Sequence, residues 1–314
     1  FRSCYRTDQY REVYCRSGRG TKPDIRPEDT NKERMIVSFH PLFEADKNII
    51  CAGRQPNEED LAAIRAADAV ILSQGCYRAL YEMARENCSH VFPNYDARFE
   101  YPGKINQIKL FRKVKVAHPA SEIFSHVASF QHHYPEGLTK LGFDFPLVFK
   151  MDWGDEGETV YRIDSADNLQ EILQKVAEYE KTGQAGFILQ EYISSNSRTL
   201  RVVVLGQRVI SYWRIQEKND GFYSNLSKGA KIDSEAEPGL QQKAVALVKD
   251  LCQKTGINLA GFDVIFSSEN GDPNPRLLEI NYFFGRKGLG GSENYYRILL
   301  AEIRNWLTTL NLAA

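Results

Sequence analysis

From Met35 onward the apolar residues fall into short blocks that alternate between strand and helix spacing. The run MIVSF (35–39) reads as a first strand. Asn57 is a good helix N-cap, and Glu58, Glu59 and Asp60 fill the first turn, where acids suit the helix dipole. Leu61 and Ile64 are expected as the buried stripe of that helix. A strand over 69–72, a helix over 76–87 and a strand over 90–93 continue the pattern. Strands separated by helices of this length predict a small parallel α/β layer.

The pattern then changes. A helix is predicted over 104–113, followed by a mixed stretch over 117–146 punctuated by Pro119, Pro135 and Pro146. Strands over 147–151 and 158–163 flank a glycine-containing turn. Leu169, Ile172, Leu173, Val176 and Tyr179 fall at helical spacing, with Ser165 as cap and Gly183 as stop. Strands follow over 187–192, 199–205 and 209–215, the last two joined by Gly206-Gln207. A helix over 238–255 places Leu240, Ala244, Leu247, Val248 and Leu251 on one face, and Gly256 stops it. Strands over 261–266 and 276–281 and a helix over about 292–310 end the chain, with no internal repeat.

Composition narrows the class. At 314 residues the chain is long enough for two or three packed units. With 42% apolar and 26% charged residues it is ordinarily globular. A net charge of −1 argues against a general polyanion or membrane-surface binder. No apolar run approaches the ~20 residues a membrane span needs. The cysteines (Cys4, Cys15, Cys51, Cys76, Cys88, Cys252) lie far apart with no Cys-x-x-Cys pair, which suits free thiols in a reducing cytoplasm. Residues 1–34 carry seven Arg, two Pro and no usable period. Either Met35 is the natural start and these residues are a non-native leader, or they are a peripheral extension. A basic RNA-binding arm is the alternative, diluted by Asp8, Glu12, Asp24, Glu28, Asp29 and Glu33.

Three stretches carry candidate chemistry. On an extended strand Glu279 and Asn281 share a face, while Leu278 and Ile280 are expected to point into the core. A hairpin centred on Gly271 would set Asp263 opposite Glu279. A tight Asn270-Gly271 turn would shift the pairing by one and turn Asp263 to the wrong face. It would also place Pro273 and Pro275 in the return strand, where proline is disfavoured, so a longer loop is expected. Three oxygen ligands on one face suit magnesium; the alternative is a solvated polar face on an edge hairpin. The second stretch is Lys150 followed by Trp153-Gly154-Asp155-Glu156-Gly157, whose glycines would let backbone N–H groups approach a phosphate. A plain hairpin turn is the other reading. The third is Gln190-Glu191-Tyr192-Ile193 at a strand end, where free backbone groups can read an adenine edge.

The order of these stretches, with the Lys104 helix, the strand bearing Arg201, FYSNLSKGA, AGFDVIF and LLEIN, resembles the ATP-grasp superfamily, closest to the RimK-type glutamate ligases. The resemblance covers about 104–307. It implies two α+β subdomains that grip ATP, at 104–190 and 191–314, behind a small parallel α/β domain at 35–103 of the kind called preATP-grasp. It further implies that Lys104 and Lys150 contact nucleotide phosphates and that the loop of Gly154 and Gly157 closes over them. Gln190, Glu191, Tyr192 and Ile193 would form the adenine site, with Glu191 and Ile193 using backbone groups. Asp263, Glu279 and Asn281 would bind magnesium, two ions bridged by Glu279, with manganese as a workable substitute. Asn225 would stand between phosphate and metal, Arg201 would meet the γ-phosphate or acyl phosphate, and Lys228 fills a basic position. Arg214, Arg286 and Lys287 are the candidates to face substrate.

The sequence also departs from the family. Asp155 and Glu156 sit in the phosphate loop, and Thr199 stands where relatives have an acid. After Asn281 the usual small turn is replaced by Tyr282-Phe283-Phe284-Gly285-Arg286-Lys287-Gly288-Leu289-Gly290-Gly291. Glutamate as substrate therefore does not follow. The implied activity joins a small-molecule or peptide carboxylate to an amine through an acyl phosphate, in the cytoplasm, without nucleic acid or membrane, in a chain free to form homo-oligomers. Positioning and charge neutralisation would do most of the catalysis. The alternatives are a nucleotide-binding regulatory or assembly protein of the same fold, and an α/β protein whose motifs are accidental.

Overall fold

The apolar blocks become the strands of three sheets and the helices that pack on them. The computed structural model describes residues 34–51, 53–135, 141–154, 158–216, 230–269 and 272–312. The first layer holds β1 (Ile36–Ser38), β2 (Lys47–Asn48), α1 (Glu58–Ala66), β3 (Ala69–Ile71), α2 (Arg78–Asn87) and β4 (Val91–Phe92). Its strands are all parallel, in the order β2-β1-β3-β4. Asn57 and Asp60 form a reciprocal capping box at the start of α1. The Asp60 carboxylate also binds Arg54, which is why Asp60, with Ala63 and Ile64, is buried and the expected Leu61 is only half-buried.

After α3 (Asp96–Glu100) and α4 (Gly103–Val114) come β5 (Ser121–Phe124), α5 (Val127–His133), β6 (Leu147–Met151), β7 (Val160–Ile163), α6 (Ala166–Glu180) and β8 (Phe187–Glu191). These strands form an antiparallel sheet in the order β5-β8-β6-β7. On α6, Leu169, Ile172, Leu173 and Val176 are buried, but Tyr179 is 40% exposed and meets Trp153 edge-on. The third sheet has β9 (Arg198–Leu205), β10 (Arg208–Ile215), β11 (Lys231–Asp233), β12 (Leu259–Glu269) and β13 (Asp272–Asn281), with α7 (Pro238–Thr255) and α8 (Gly291–Thr309). Its order is β11-β10-β9-β12-β13, all antiparallel.

The five-stranded sheet is covered on both faces because alternate residues of β9 serve different cores. Val203 and Leu205 join the first layer and the inner face of α8, including Tyr295, Leu299 and Ile303. Leu200, Val202 and Val204 pack with α7 and with Ile105, Ile108 and Phe111 of α4. Packing thus crosses the divisions expected near 104 and 191: α4 shares its core with the five-stranded sheet, and α8 shares its core with the first layer. Among the described residues no helix is long and apolar enough to cross a membrane.

His40, just past β1, is buried, and its Nδ1 accepts the Leu42 N–H at 3.2 Å, which requires a neutral ring. Burial pushes this imidazole down to about 4 from 6.5. Below its ordinary pKa the unfolded chain takes up a proton that the folded chain refuses. Stability is therefore full above about pH 6.5 and falls as pH drops towards 4, by up to about 3 kcal/mol. Denaturant midpoints across that window should show the decline in the wild type and a much shallower one in His40→Gln. An equal decline in the variant would assign it to other groups.

Candidate active site

One face of the five-stranded sheet gathers the charged residues. Asp263 pairs with Arg201 across β12 and β9, and with Glu279 across β12 and β13. Arg201 pairs with Tyr212, Thr199 with Arg214, and Gly261 with Asn281. The hairpin reaches this register by an unexpected route. Pairing continues outward to Glu269 opposite Asp272, in the offset of a tight turn, and Pro273 and Pro275 lie within β13. Proline is tolerated there because β13 is an edge strand. A bulge next to Asp263 then inserts Leu278 and restores the other offset, returning Asp263 to the face of Glu279. Consequently Leu277 and Ile280 enter the core, not Leu278 and Ile280.

Asp263 is the most contested group. Its Oδ1 accepts Arg201 Nε and Arg214 Nη2, both at 2.6 Å; its Oδ2 accepts Arg201 Nη2 at 3.1 Å and Asn281 Nδ2 at 3.2 Å. The side chain is 13% exposed and both arginines 8%. Burial alone would raise this carboxyl, but the two guanidinium groups outweigh it and hold it below the usual range. Glu279 behaves in the opposite way. Burial, reinforced by the Asp263 charge, raises its carboxyl against the pull of Lys150, Lys104 and Arg201. No described residue donates a hydrogen bond to it. A desolvated carboxylate without a donor, beside a second carboxylate, suits a hard divalent cation. Glu279, Asp263 and the Asn281 amide oxygen fit such an ion, provided one of the four acceptor positions on Asp263 is vacated. Among the described residues no group of three or more His, Cys, Asp or Glu is placed to hold a metal.

Two lysines approach from the other sheet. Lys150 lies on β6, where burial pushes its ammonium down to about 8, Glu279 opposing the shift and Lys104 adding to it. Lys104, in the first turn of α4, donates to the carbonyl of Gly154 at 2.6 Å. What sets this helix is Asp152, whose Oδ1 accepts the Ile105 N–H at 2.7 Å. Pro102, at the N-cap, makes no side-chain cap, so a carboxylate from the end of β6 supplies it. Gly154 has φ +85°, and a Cβ there would meet Thr159 at 2.5 Å.

At the end of β8, Gln190 is buried and donates to Ser121 Oγ at 2.8 Å. The Glu191 N–H already donates to the Ala120 carbonyl, so of its backbone groups only the carbonyl remains a candidate for adenine. The N–H of Ile193 has no partner among the described residues. Tyr192 lies under the Arg162 guanidinium, 4.8 Å from its ring centroid. Gly157, Asn225 and Lys228, like Asp155 and Glu156, lie outside the described residues.

Arg286 and Lys287 line an open cleft of about 400 Å³ with Gln74, Phe283 and Ser292. Arg286 is half-buried, its guanidinium 4.5 Å from the ring centroids of both Tyr295 and Tyr296. Nothing in the sequence singled out Gln74. Its Nε2 donates to the carbonyl of Tyr282 at 3.0 Å, and its Oε1 accepts the Tyr295 hydroxyl at 2.8 Å. Arg98 lies over Tyr95, Phe99 and Phe283 and fixes the same wall. Burial pushes the Cys76 and Cys252 thiols up to about 12, so neither offers a thiolate nucleophile.

The chain is similar to known proteins in sequence and in fold. A family model described as a RimK-like ATP-grasp domain matches residues 102–303. A probable alpha-L-glutamate ligase of Legionella pneumophila (strain Corby) is 29% identical over 151 residues, 48% of this chain and 46% of that protein. One from Xanthomonas campestris pv. campestris (strain B100), of the same description, is 31% identical over 148 residues, 46% of this chain and 47% of that protein. The chain thus spans about half the length of the curated relatives it matches. Among solved structures, a RimK domain protein ATP-grasp from Sphaerobacter thermophilus aligns with TM-score 0.55 at 12% identity, covering 86% of this chain and 97% of that one. An L-amino acid ligase from Bacillus licheniformis aligns with TM-score 0.51 at 15% identity, covering 80% and 60%. At such identities the structural likeness carries the fold alone.

The two carboxylates should affect stability in opposite directions. Asp263→Ala leaves two buried guanidinium groups without their counter-charge and should cost about 3–5 kcal/mol. Glu279→Gln removes a charge its surroundings disfavour, so it should leave stability equal or higher. Denaturant midpoints in metal-free buffer check the pair, and destabilisation by both would contradict the assigned environments.

Proposed function

The chain belongs to the RimK-like ATP-grasp family, and we propose on that footing that it is an ADP-forming ligase that joins a carboxylate to an amine through an acyl phosphate. The observation that supports this most is the meeting of Asp263, Glu279 and Asn281 on one sheet face with Lys150 and Lys104 electrostatically coupled to them. Lys104 and Lys150 hold the phosphates of ATP, and the segment from Gly154 to Gly157 closes over them. The Glu191 carbonyl and the Ile193 N–H read the adenine edge beside Gln190 and Tyr192. Magnesium held by Glu279, Asp263 and Asn281 would neutralise charge on the transferred phosphoryl group. Arg201 stabilises the acyl phosphate and then the oxyanion formed as the amine adds. Asn225 and Lys228 complete the phosphate side.

The substrates are small-molecule or peptide carboxylates and amines, and the proposed setting is the cytoplasm, in line with the free thiols of Cys51, Cys76, Cys88 and Cys252. Because the relatives are described as glutamate ligases, glutamate is the first compound to test. The aromatic segment Tyr282–Phe284 is the reason to test others. ADP release with magnesium across a panel of amino acids and peptides should identify a productive pair, and Glu279→Ala should lower its turnover by orders of magnitude. Wild-type turnover in that variant would refute the metal assignment.

Arg286 and Lys287 are proposed to bind an anionic group of the acceptor in their cleft. Replacing both with Gln should raise the KM for the acceptor and leave that for ATP nearly unchanged. Unaltered acceptor kinetics would place the acceptor elsewhere.

A further inference from the structure

Asp263 has four places at which to accept a hydrogen bond or a metal, and all are taken. The occupants are not equivalent. Arg201, directly opposite on β9, grips both oxygens in a fork. Asn281 adds an uncharged donor. Arg214 comes from β10, one strand further out, and makes a single bond to Oδ1. The same Nη2 also donates to the Thr199 hydroxyl at 2.9 Å, a neutral partner. Its Nε is buried with no hydrogen-bond partner among the described residues. A desolvated guanidinium N–H left open is costly, so Arg214 is only partly satisfied where it stands.

We infer that Arg214 is a placeholder for the metal: it occupies Asp263 Oδ1 while no cation is bound and must leave when one binds. This inference rests on the proposed reading of Asp263 and Glu279 as metal ligands. A guanidinium at 2.6 Å from Oδ1 occupies space an incoming cation needs, and it repels that cation. Arg201 stays, because its fork keeps Asp263 aimed across the sheet. The freed Arg214 then carries an open Nε and an open Nη2, a matched pair of donors for an oxyanion. Metal occupancy and anion binding are thereby linked through one side chain.

The inference makes a prediction opposite in sign to that of a scaffold residue. If Arg214 merely shaped Asp263, its removal would weaken metal binding. As a competing cation, its removal strengthens it. Manganese binding to the full chain, without nucleotide, can be read from the paramagnetic signal of the free ion. Arg214→Met should tighten binding about tenfold or more, while Arg214→Lys, which keeps the charge, should stay within about threefold of wild type. Arg214→Gln keeps a donor for Asp263 and Thr199 without the charge and should tighten binding too, which covers the case in which Arg214→Met fails to fold. Binding that is lost in Glu279→Gln but unchanged or weakened in Arg214→Met and Arg214→Gln overturns the placeholder role alone. Binding that survives Glu279→Gln intact overturns the metal-ligand reading and this inference with it.

Discussion

Asp263 is a nearly buried carboxylate with two guanidinium groups on one oxygen, and the surrounding strands are arranged to keep that possible. It is held from β9, β10 and β13 while standing on β12, so one side chain ties four of the five strands of its sheet. Burying these charges brings little net stability, because desolvation offsets most of the Coulomb gain. What the cluster supplies is aim. It fixes a carboxylate and its arginines on the face where Glu279 has no donor among the described residues. The bulge at Leu278 serves the same end: without it, Glu279 would fall on the opposite face of β13.

The second half of the site comes from a different sheet and needs its own anchor. Lys104 is placed by the start of α4, and that start is fixed by Asp152 at the end of β6. Lys150 lies on the same strand, two residues before Asp152. Strand and helix therefore present their lysines together, and the bond from Lys104 to the Gly154 carbonyl adds Gly154 to the unit. Two cations this close raise each other's energy unless anions are near. Glu279 is one such anion, and a nucleotide would bring more.

Much of this was legible in the sequence. Strand 147–151 and helix 238–255 have the bounds their periodicity predicts, because an apolar run ended by turn residues, and a helix between Pro238 and Gly256, leave few alternatives. The pairing of Asp263 with Glu279 was predictable, though by the wrong route. Pro273 and Pro275 argued against strand only if β13 were interior, and edge position is a property of the whole sheet. The same limit hid Leu278, since a bulge depends on how two strands meet. Leu61 looked like core, yet Asp60 took the buried place because Arg54 and Asn57 satisfy it. Gln74 and Asp152 gave no local signal: their partners lie 208 and 47 residues away.

The proposed chemistry has one step no simple ATPase performs, the passage of a carboxylate oxygen onto phosphorus. A carboxylate substrate enriched in heavy oxygen, incubated with ATP, magnesium and its amine partner, tests that step directly. Through an acyl phosphate, each turnover should deliver one labelled oxygen to inorganic phosphate as the amide forms. Amide formation with unlabelled phosphate would contradict the account.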